Sequence, residues 1–271
     1  MTGPPQGGVR WDAERYHRSS TAQAAWGREV HARLGLRGDE AVIDLGSGDG
    51  RLSTELADQV PRGEVVGVDA DPDMIAFAGR EQARPNLRFV SGDVRGFEVP
   101  ELAGARRADL VVSTACLHWV ADHEAVLRRC RAHLAPGGRV FLQMGGRGNC
   151  AELFTVFAAA AASARWACHI ASLPSPWTFH GPDAYWAFLP RCGFRPVRTA
   201  LVPKDMVHEG PAALAAYLRS TWMPVVDCVP GPERDAFVAE VVAQHLARRP
   251  LDAAGRTHAG MVRLEVEAVA V

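Results

Sequence analysis

Ala41-Val42-Ile43-Asp44-Leu45-Gly46-Ser47-Gly48-Asp49-Gly50-Arg51-Leu52 is the stretch that decides the fold. Val42 to Leu45 reads as a short buried strand, the glycines as a tight turn, and Leu52 as the opening of a helix. Glycines let the backbone take positive φ and come close to a ligand. The first turn of the following helix offers N–H groups that no internal carbonyl uses. A turn of this kind at the carboxyl end of a parallel strand is where α/β folds bind nucleotide-type ligands. The spacing narrows the ligand class. The glycines alternate as G-x-G-x-G behind an acid, Asp44, and not as the G-x-G-x-x-G of dinucleotide sites. A carboxylate there disfavours a pyrophosphate and favours an ammonium or sulfonium. Taken alone, the turn also fits an ordinary glycine-capped junction of strand and helix.

Acids recur at the next strand ends. Glu64 to Asp69 reads as a second strand ending in Asp69, 21 residues after Gly48. That is where nucleotide folds place a carboxylate for ribose hydroxyls. The other reading is that Asp69, followed by Asp71-Pro72, caps a helix over 72–84, since Asp is a favoured N-cap and Pro a favoured first residue; both roles hold with Asp71 as the cap and Asp69 on the ribose. Met74, one turn in, either covers an adenine face or packs in the core. Asn86 to Val94 is the third strand and its exit. There Gly92-Asp93-Val94 puts Asp93 in reach of an adenine amino group and Val94 beside the ring. Ala108 to Ser113 is a short apolar fourth strand, as buried parallel strands are. It runs on into Thr114-Ala115-Cys116-Leu117-His118-Trp119-Val120. A helix over 122–134, Leu134-Ala135-Pro136-Gly137-Gly138 and a fifth strand, Val140 to Met144, follow.

With the motifs at Gly46, Asp69, Asp93 and Pro136 in this order, residues 40–145 resemble the class I S-adenosylmethionine-dependent methyltransferases. The first motif of that family is E/D-x-G-x-G-x-G, and Leu-x-Pro-Gly-Gly before strand five is another of its landmarks. The resemblance implies a Rossmann-like α/β fold with a seven-stranded, mostly parallel sheet whose last strand is antiparallel. It implies S-adenosylmethionine as cofactor, leaving as S-adenosylhomocysteine. The implied cofactor residues are Asp44, Gly46, Ser47, Gly48, Asp69, Ala70, Met74, Gly92, Asp93, Val94 and Thr114.

Two stretches narrow the resemblance. Cys116-Leu117-His118-Trp119-Val120 is similar to the same stretch of juvenile hormone acid methyltransferases, and trans-aconitate methyltransferases carry Gln in place of the histidine. Tyr16-His17-Arg18-Ser19-Ser20-Thr21-Ala22-Gln23 resembles the start of the insect enzymes, where the glutamine contacts the substrate carboxylate. Both groups methylate small carboxylic acids. Carried over by position, Gln23, His118 and Trp119 become the substrate-side, catalytic candidates. A carboxylate is ionised at neutral pH and needs no base. For a hydroxyl acceptor, His118, with an ordinary pKa near about 6.5, would serve as one. The other reading of His118 is a histidine that orients the loop after strand four.

Composition bounds the rest. The 271 residues suffice for one well-buried α/β domain with an accessory layer. A formal net charge of −1, from 30 basic and 31 acidic residues, gives no reason to expect nucleic acid as a partner. The longest apolar runs are too short to span a bilayer. Met1 to Arg10 has no apolar leader run, so cytoplasm is the expected compartment. The six cysteines show no C-x-x-C pair and read as buried apolar residues, and the histidines show no metal spacing, so no metal is expected.

The expected organisation is a single methyltransferase domain. Residues 1–10 are expected to be disordered, 11–38 to form a cap or lid helix, and 40–145 the cofactor core. Residues 149–257 would hold substrate-selecting helices and strand six, and 258–271 the last strand. Trp177, Phe179, Tyr185 and Trp186 line an acyl pocket or pack the accessory layer, at least two of them the latter. His123 and Glu124, opening the helix after Asp122, are expected to be solvated. The favoured function is methyl transfer to an oxygen of a small organic acid, by a monomer or weak dimer. O- or C-methylation of a secondary metabolite, or a non-methylating binding or cyclisation scaffold, are the alternatives.

Overall fold

The computed structural model describes residues 11, 13–19, 21–99, 102 and 107–271. The first ten residues, expected to be disordered, lie outside that set. Elements follow in chain order: α1 (Ala13–Ser19), α2 (Thr21–His31), β1 (Ala41–Leu45), α3 (Arg51–Gln59), β2 (Glu64–Asp69), α4 (Pro72–Glu81), β3 (Leu87–Ser91), β4 (Ala108–Thr114), α5 (His123–His133) and β5 (Leu134–Gly145). Then come α6 (Ala151–Ala161), α7 (Ala167–Ile170), α8 (Pro182–Arg191), β6 (Phe194–His208), α9 (Pro211–Thr221), α10 (Met223–Val226), α11 (Arg234–Arg248) and β7 (Thr257–Ala270).

Among the described residues the strands form one seven-stranded sheet in the order β3-β2-β1-β4-β5-β7-β6. β1 pairs in parallel with β2 and β4, β2 with β3, and β4 with β5, while β7 runs antiparallel to β5. The sheet is the one the sequence implies. β1 is buried along its whole length, as expected of a central parallel strand covered on both faces. Its alternate side chains feed two cores. Ile43 and Leu45 join Val66, Val68, Val111 and Leu142. Val42, on the opposite face, joins Val30, Leu56, Val65, Leu110 and Phe141. Each fully buried Val, Leu or Ile contributes about 1.5–3 kcal/mol, so the frame that carries the glycine turn is held from above and below.

Several boundaries differ from the sequence reading. The N-terminal helical stretch is α1 and α2, ending at His31, and not one helix over 11–38. The chain closes there on 3₁₀-type bonds, Arg33 N to Val30 O and Leu34 N to His31 O, before Gly35 and Gly38 take positive φ. Strand five begins at Leu134. The Pro-Gly-Gly run stays in the strand because the β4–β5 register shifts between Ala108 and Leu110, with Gly137 at φ 77°. That is a bulge, which a glycine in the left-handed region can form.

The chain separates into two compact units. One consists of Gly148–Pro176 and Pro203–Val262. Within it Trp222 stacks on Phe157 at 4.4 Å, Trp166 meets Phe237 edge-on, and the Trp166 indole N–H donates to Glu240 at 2.8 Å. The other holds β1 to β5, Trp177–Val202 and Arg263–Val271, together with every candidate site residue. Cysteine burial is mixed: Cys130, Cys150 and Cys192 are buried, but Cys168 and Cys228 are exposed, contrary to the reading of all six as interior. Tyr185 is fully buried, whereas Trp186 is half exposed. No helix among the described residues is long and apolar enough to cross a membrane, and no cluster of His, Cys, Asp and Glu there could hold a metal ion.

Candidate functional site

The site grows from the carboxyl ends of β1, β2 and β4. Gly46 and Ser47 donate their N–H groups to the Val68 carbonyl at 2.8 and 3.0 Å, pinning the turn to β2. Gly46, Gly48 and Gly50 all have positive φ, at 73°, 54° and 77°. At Gly46 the need is steric as well, since a Cβ there would overlap Cys116. Gly50 is the N-cap of α3. The Asp69 carboxylate closes the arrangement: Oδ2 accepts from Gly48 N and Oδ1 from Asp71 N, both at 2.9 Å. Asp69 thus ties the glycine turn to the residues that follow β2. Asp71, and not Asp69, caps α4, accepting from Asp73 N and Met74 N ahead of Pro72.

Asp44, Gly46, Ser47, Gly48 and Thr114 line one cavity, joined by Tyr16, Ala24, Asp49, Arg51, Leu52 and Ala115. Its volume is about 40 Å³, room for a few waters. Tyr16 stands over Gly48, 3.8 Å from where a Cβ would lie. The Ser47 hydroxyl is buried without a partner among the described residues. Asp44 receives the Ser53 hydroxyl at 2.6 Å. Burial pushes its carboxyl up to about 6, reinforced by the charges of Asp69 and Asp49 and opposed by the Ser53 hydrogen bond. Burial also raises Asp69, and the backbone N–H groups of Asp71 and Gly48 oppose that shift.

The other cofactor candidates divide. Met74 packs in a small cluster with Ala13 and Phe77, against Trp11 and Tyr16. Val94 is buried in the main core with Val68 and Phe97, and Ala70 is exposed. Gly92 donates to the Asp69 carbonyl. Asp93 is held by Arg95, whose Nε donates to one carboxylate oxygen at 2.9 Å and whose Nη2 donates to the other at 2.5 Å. That hydrogen bond keeps Asp93 below the usual carboxylate range.

Residues of α1, and Trp11 ahead of it, tie onto this site in ways the sequence reading missed. His17 Nδ1 lies 2.8 Å from Asp49 Oδ2. Arg51 donates to the His17 carbonyl at 2.9 Å and pairs with Asp49. Trp11 N donates to Asp71 Oδ2 at 2.9 Å, and its ring meets Tyr16 at 5.3 Å and Trp119 at 5.5 Å. The available signal was an acid inside the glycine turn, Asp49, two residues before an arginine.

Beyond β4, Ala115 takes φ 55°, uncommon for a residue with a Cβ. Its N–H is held by the Gln143 carbonyl at 2.9 Å and by Gln143 Oε1 at 3.2 Å. The 3₁₀ turn Leu117–Trp119 follows. It turns His118 and Trp119 toward an aromatic group: Trp177 lies 5.5 Å from Trp119, and Phe179 lies 6.2 Å from His118. Gly145 N donates to His118 Nδ1 at 3.4 Å, a long bond, and Thr178 N donates to the His118 carbonyl at 2.8 Å. Burial, with a smaller contribution from His123, holds the His118 imidazole down at about 4, so it is neutral at pH 7. Gln23 lies on α2, but its side chain is outside the described residues. His123 is not solvated as expected. It is 2% exposed and bonded to the Tyr185 hydroxyl at 2.7 Å, because the first turn of α5 faces α8.

Residues 42–138 match the methyltransferase domain family model. A trans-aconitate 2-methyltransferase of Deinococcus radiodurans is 38% identical over 136 residues, which cover 50% of either chain. The chain thus spans about half the length of that relative. The enzyme of the same name from Variovorax paradoxus is 30% identical over 236 residues, 85% of this chain and 86% of its own. Among solved structures, phosphoethanolamine N-methyltransferase 2 of Haemonchus contortus, in complex with phosphomonomethylethanolamine and S-adenosylhomocysteine, superposes with a TM-score of 0.58. It is 16% identical and covers 95% of this chain and 56% of that one. At that identity the likeness is one of fold.

Proposed function

Because the chain belongs to the class I S-adenosylmethionine-dependent methyltransferases, we propose that it transfers the methyl group of S-adenosylmethionine to a carboxylate oxygen of a small organic acid. The cofactor fits the residues present. The partnerless Ser47 hydroxyl in the cavity wall offers a donor to the ligand. Asp44 supplies charge opposite a ligand cation, and Asp69 keeps free lone pairs for ribose hydroxyls. When bound, the cofactor supplies an electrophilic methyl group on a sulfonium. Everything else this chain must do is positioning. Holding two reactants in line supplies effective molarities on the order of 10⁵ M or more.

The observation that carries the carboxylate reading is the state of His118. Its imidazole is neutral, its pKa is pushed down to about 4, and its Nδ1 takes the Gly145 N–H. A group with so low a pKa is a weak general base at neutral pH. An acceptor whose oxygen is already ionised needs none. Gln23 would hold the carboxylate by hydrogen bonding, and Trp119 would wall the acceptor and exclude water. The trans-aconitate methyltransferase relatives favour an acid as well.

The test is a panel of carboxylic acids and phenols with methyl-labelled cofactor. Label is expected in a base-labile methyl ester. Gln23→Ala should raise the acceptor KM at least tenfold, while His118→Ala keeps kcat within about tenfold. Turnover of phenols alone, abolished by His118→Ala, would replace the carboxylate with a hydroxyl. Silence across the whole panel would favour a scaffold.

Asp44 gives the binding step a pH signature. Its carboxyl ionises at about 6 in the folded chain against 3.8 ordinarily. Between those values the folded state binds more protons than the unfolded one, so the contribution of Asp44 to stability falls as pH rises from about 4 to 6. A cation bound beside it favours the ionised form. Binding of S-adenosylhomocysteine, which carries an ammonium, is therefore expected to release up to about half a proton at pH 6 and almost none at pH 8. Calorimetry in two buffers of different ionisation enthalpy measures this. Buffer-independent heats at pH 6 would place the cation away from Asp44.

A further inference from the structure

The pair His123 and Tyr185 lies outside the cofactor cavity, and no step of the proposed reaction uses it. His123 opens α5, where Asp122 is the N-cap, and Tyr185 sits on α8. Both side chains are buried, with His123 Nδ1 and the Tyr185 hydroxyl 2.7 Å apart. A buried histidine–tyrosine pair adds nothing to packing that Leu and Phe would not. Among the described residues His123 Nε2 is buried without a hydrogen bond of good geometry. The placement gives the pair a purpose.

His123 lies four residues after the turn Leu117–Trp119, and the carbonyls of Leu117 in that turn and of Val120 at its end favour the protonated form of its ring. Burial and the neighbouring His180 outweigh them and keep it neutral. The Tyr185 hydroxyl reaches Met144 Sδ at 3.4 Å, and the next residue, Gly145, is the one whose N–H meets His118 Nδ1. The His180 ring stands edge-on to His123 at 4.5 Å. Its segment is tied down at both ends, by Thr178 N to the His118 carbonyl and by Arg147 N to the His180 carbonyl. The end of β5, the Trp177–His180 segment and the 3₁₀ turn all bear on His118, and all three touch this pair.

We propose that His123 and Tyr185 are a positioning pair, which fixes the turn Leu117–Trp119 and through it sets the place of the methyl acceptor. The pair touches neither reactant. It acts by holding His118 and Trp119 in one arrangement against the aromatic side chains of Trp177 and Phe179. The inference rests on the methyl-transfer reading for its kinetic consequence, though not for its geometry.

Tyr185→Phe removes one oxygen and leaves the ring packing intact. It is expected to raise the acceptor KM about tenfold while the Kd for S-adenosylhomocysteine stays within twofold. His123→Leu should do the same. His123→Asn, whose amide can replace Nδ1 toward Tyr185, should stay within about threefold of the parent. A Tyr185→Phe protein with a lower Tm and an unchanged acceptor KM would show a purely structural pair and overturn the proposal. Parallel losses of acceptor and cofactor affinity would do so too. The His118 imidazole C–H resonances, assigned by their absence in His118→Ala, give a readout that needs no turnover. They are expected to shift in Tyr185→Phe, and unmoved resonances refute the positioning role. An enzyme silent toward every acceptor but with shifted resonances would instead remove the methyl-transfer reading and leave the positioning in place.

Discussion

Asp69→Ala is expected to weaken S-adenosylhomocysteine binding about 100-fold, measured by calorimetry. Each hydrogen bond to a charged group is worth roughly 1.5–3 kcal/mol, and every 1.4 kcal/mol or so is tenfold in affinity. The alanine variant loses the carboxylate proposed for the ribose and, with it, the grip on Gly48 N and Asp71 N. Asp69→Asn separates the two effects. Its amide oxygen can still accept the Gly48 N–H, although its NH2 cannot accept from Asp71 N, so the turn keeps one of its two bonds and the loss should be nearer tenfold. Unchanged affinity in the alanine variant would remove Asp69 from the ribose altogether.

Gly46→Ala is the more destructive change. The added Cβ would overlap Cys116, and the overlap involves its Cβ as well as its sulfur, so no rotation of a flexible tip relieves it. Alanine must also adopt φ 73°, which costs about 1–2 kcal/mol by itself. Cofactor binding should become undetectable, with a fall in Tm of several degrees. Adding Cys116→Gly to Gly46→Ala frees the space and leaves only the φ cost, so part of the binding should return. No recovery in the double variant would mean that the backbone conformation, and not the clash, decides. The contrast with Gly48 is informative. Among the described residues a Cβ there meets only the Tyr16 ring at 3.8 Å, so Gly48→Ala bears the strain of φ 54° without a clash and should be milder.

The sheet was legible because its signals are local. Val42-Ile43-Asp44-Leu45 is too short and too apolar for a surface element. Acids ending β2 and β3 and the Pro-Gly-Gly before Arg139 recur at the intervals a parallel α/β sheet requires. The Pro-Gly-Gly bulge was not legible, because whether a glycine pair ends a strand or kinks it depends on the neighbouring strand's register. His123 was misread for a related reason. A histidine beside Asp and Glu at a helix start looks solvated until α8, some 60 residues later, brings Tyr185 over it. Asp93 illustrates a third limit. Its position at a strand end is readable, but its pairing with Arg95 depends on side-chain direction. Among the acceptor-side candidates, His118 and Trp119 do share one turn, whereas Gln23 rests on resemblance alone.

The contacts made by Trp11, Tyr16 and His17 join the start of the described chain to the glycine turn. Tyr16 covers Gly48, His17 is fastened to Asp49 and Arg51, and Trp11 reaches from Asp71 to Trp119. Tyr16 also lines the cavity formed by Asp44, Gly46, Ser47 and Gly48. The surroundings of the glycine turn are thus supplied from far along the chain: His17 lies 32 positions from the Asp49 it holds, and Trp11 lies 60 from Asp71.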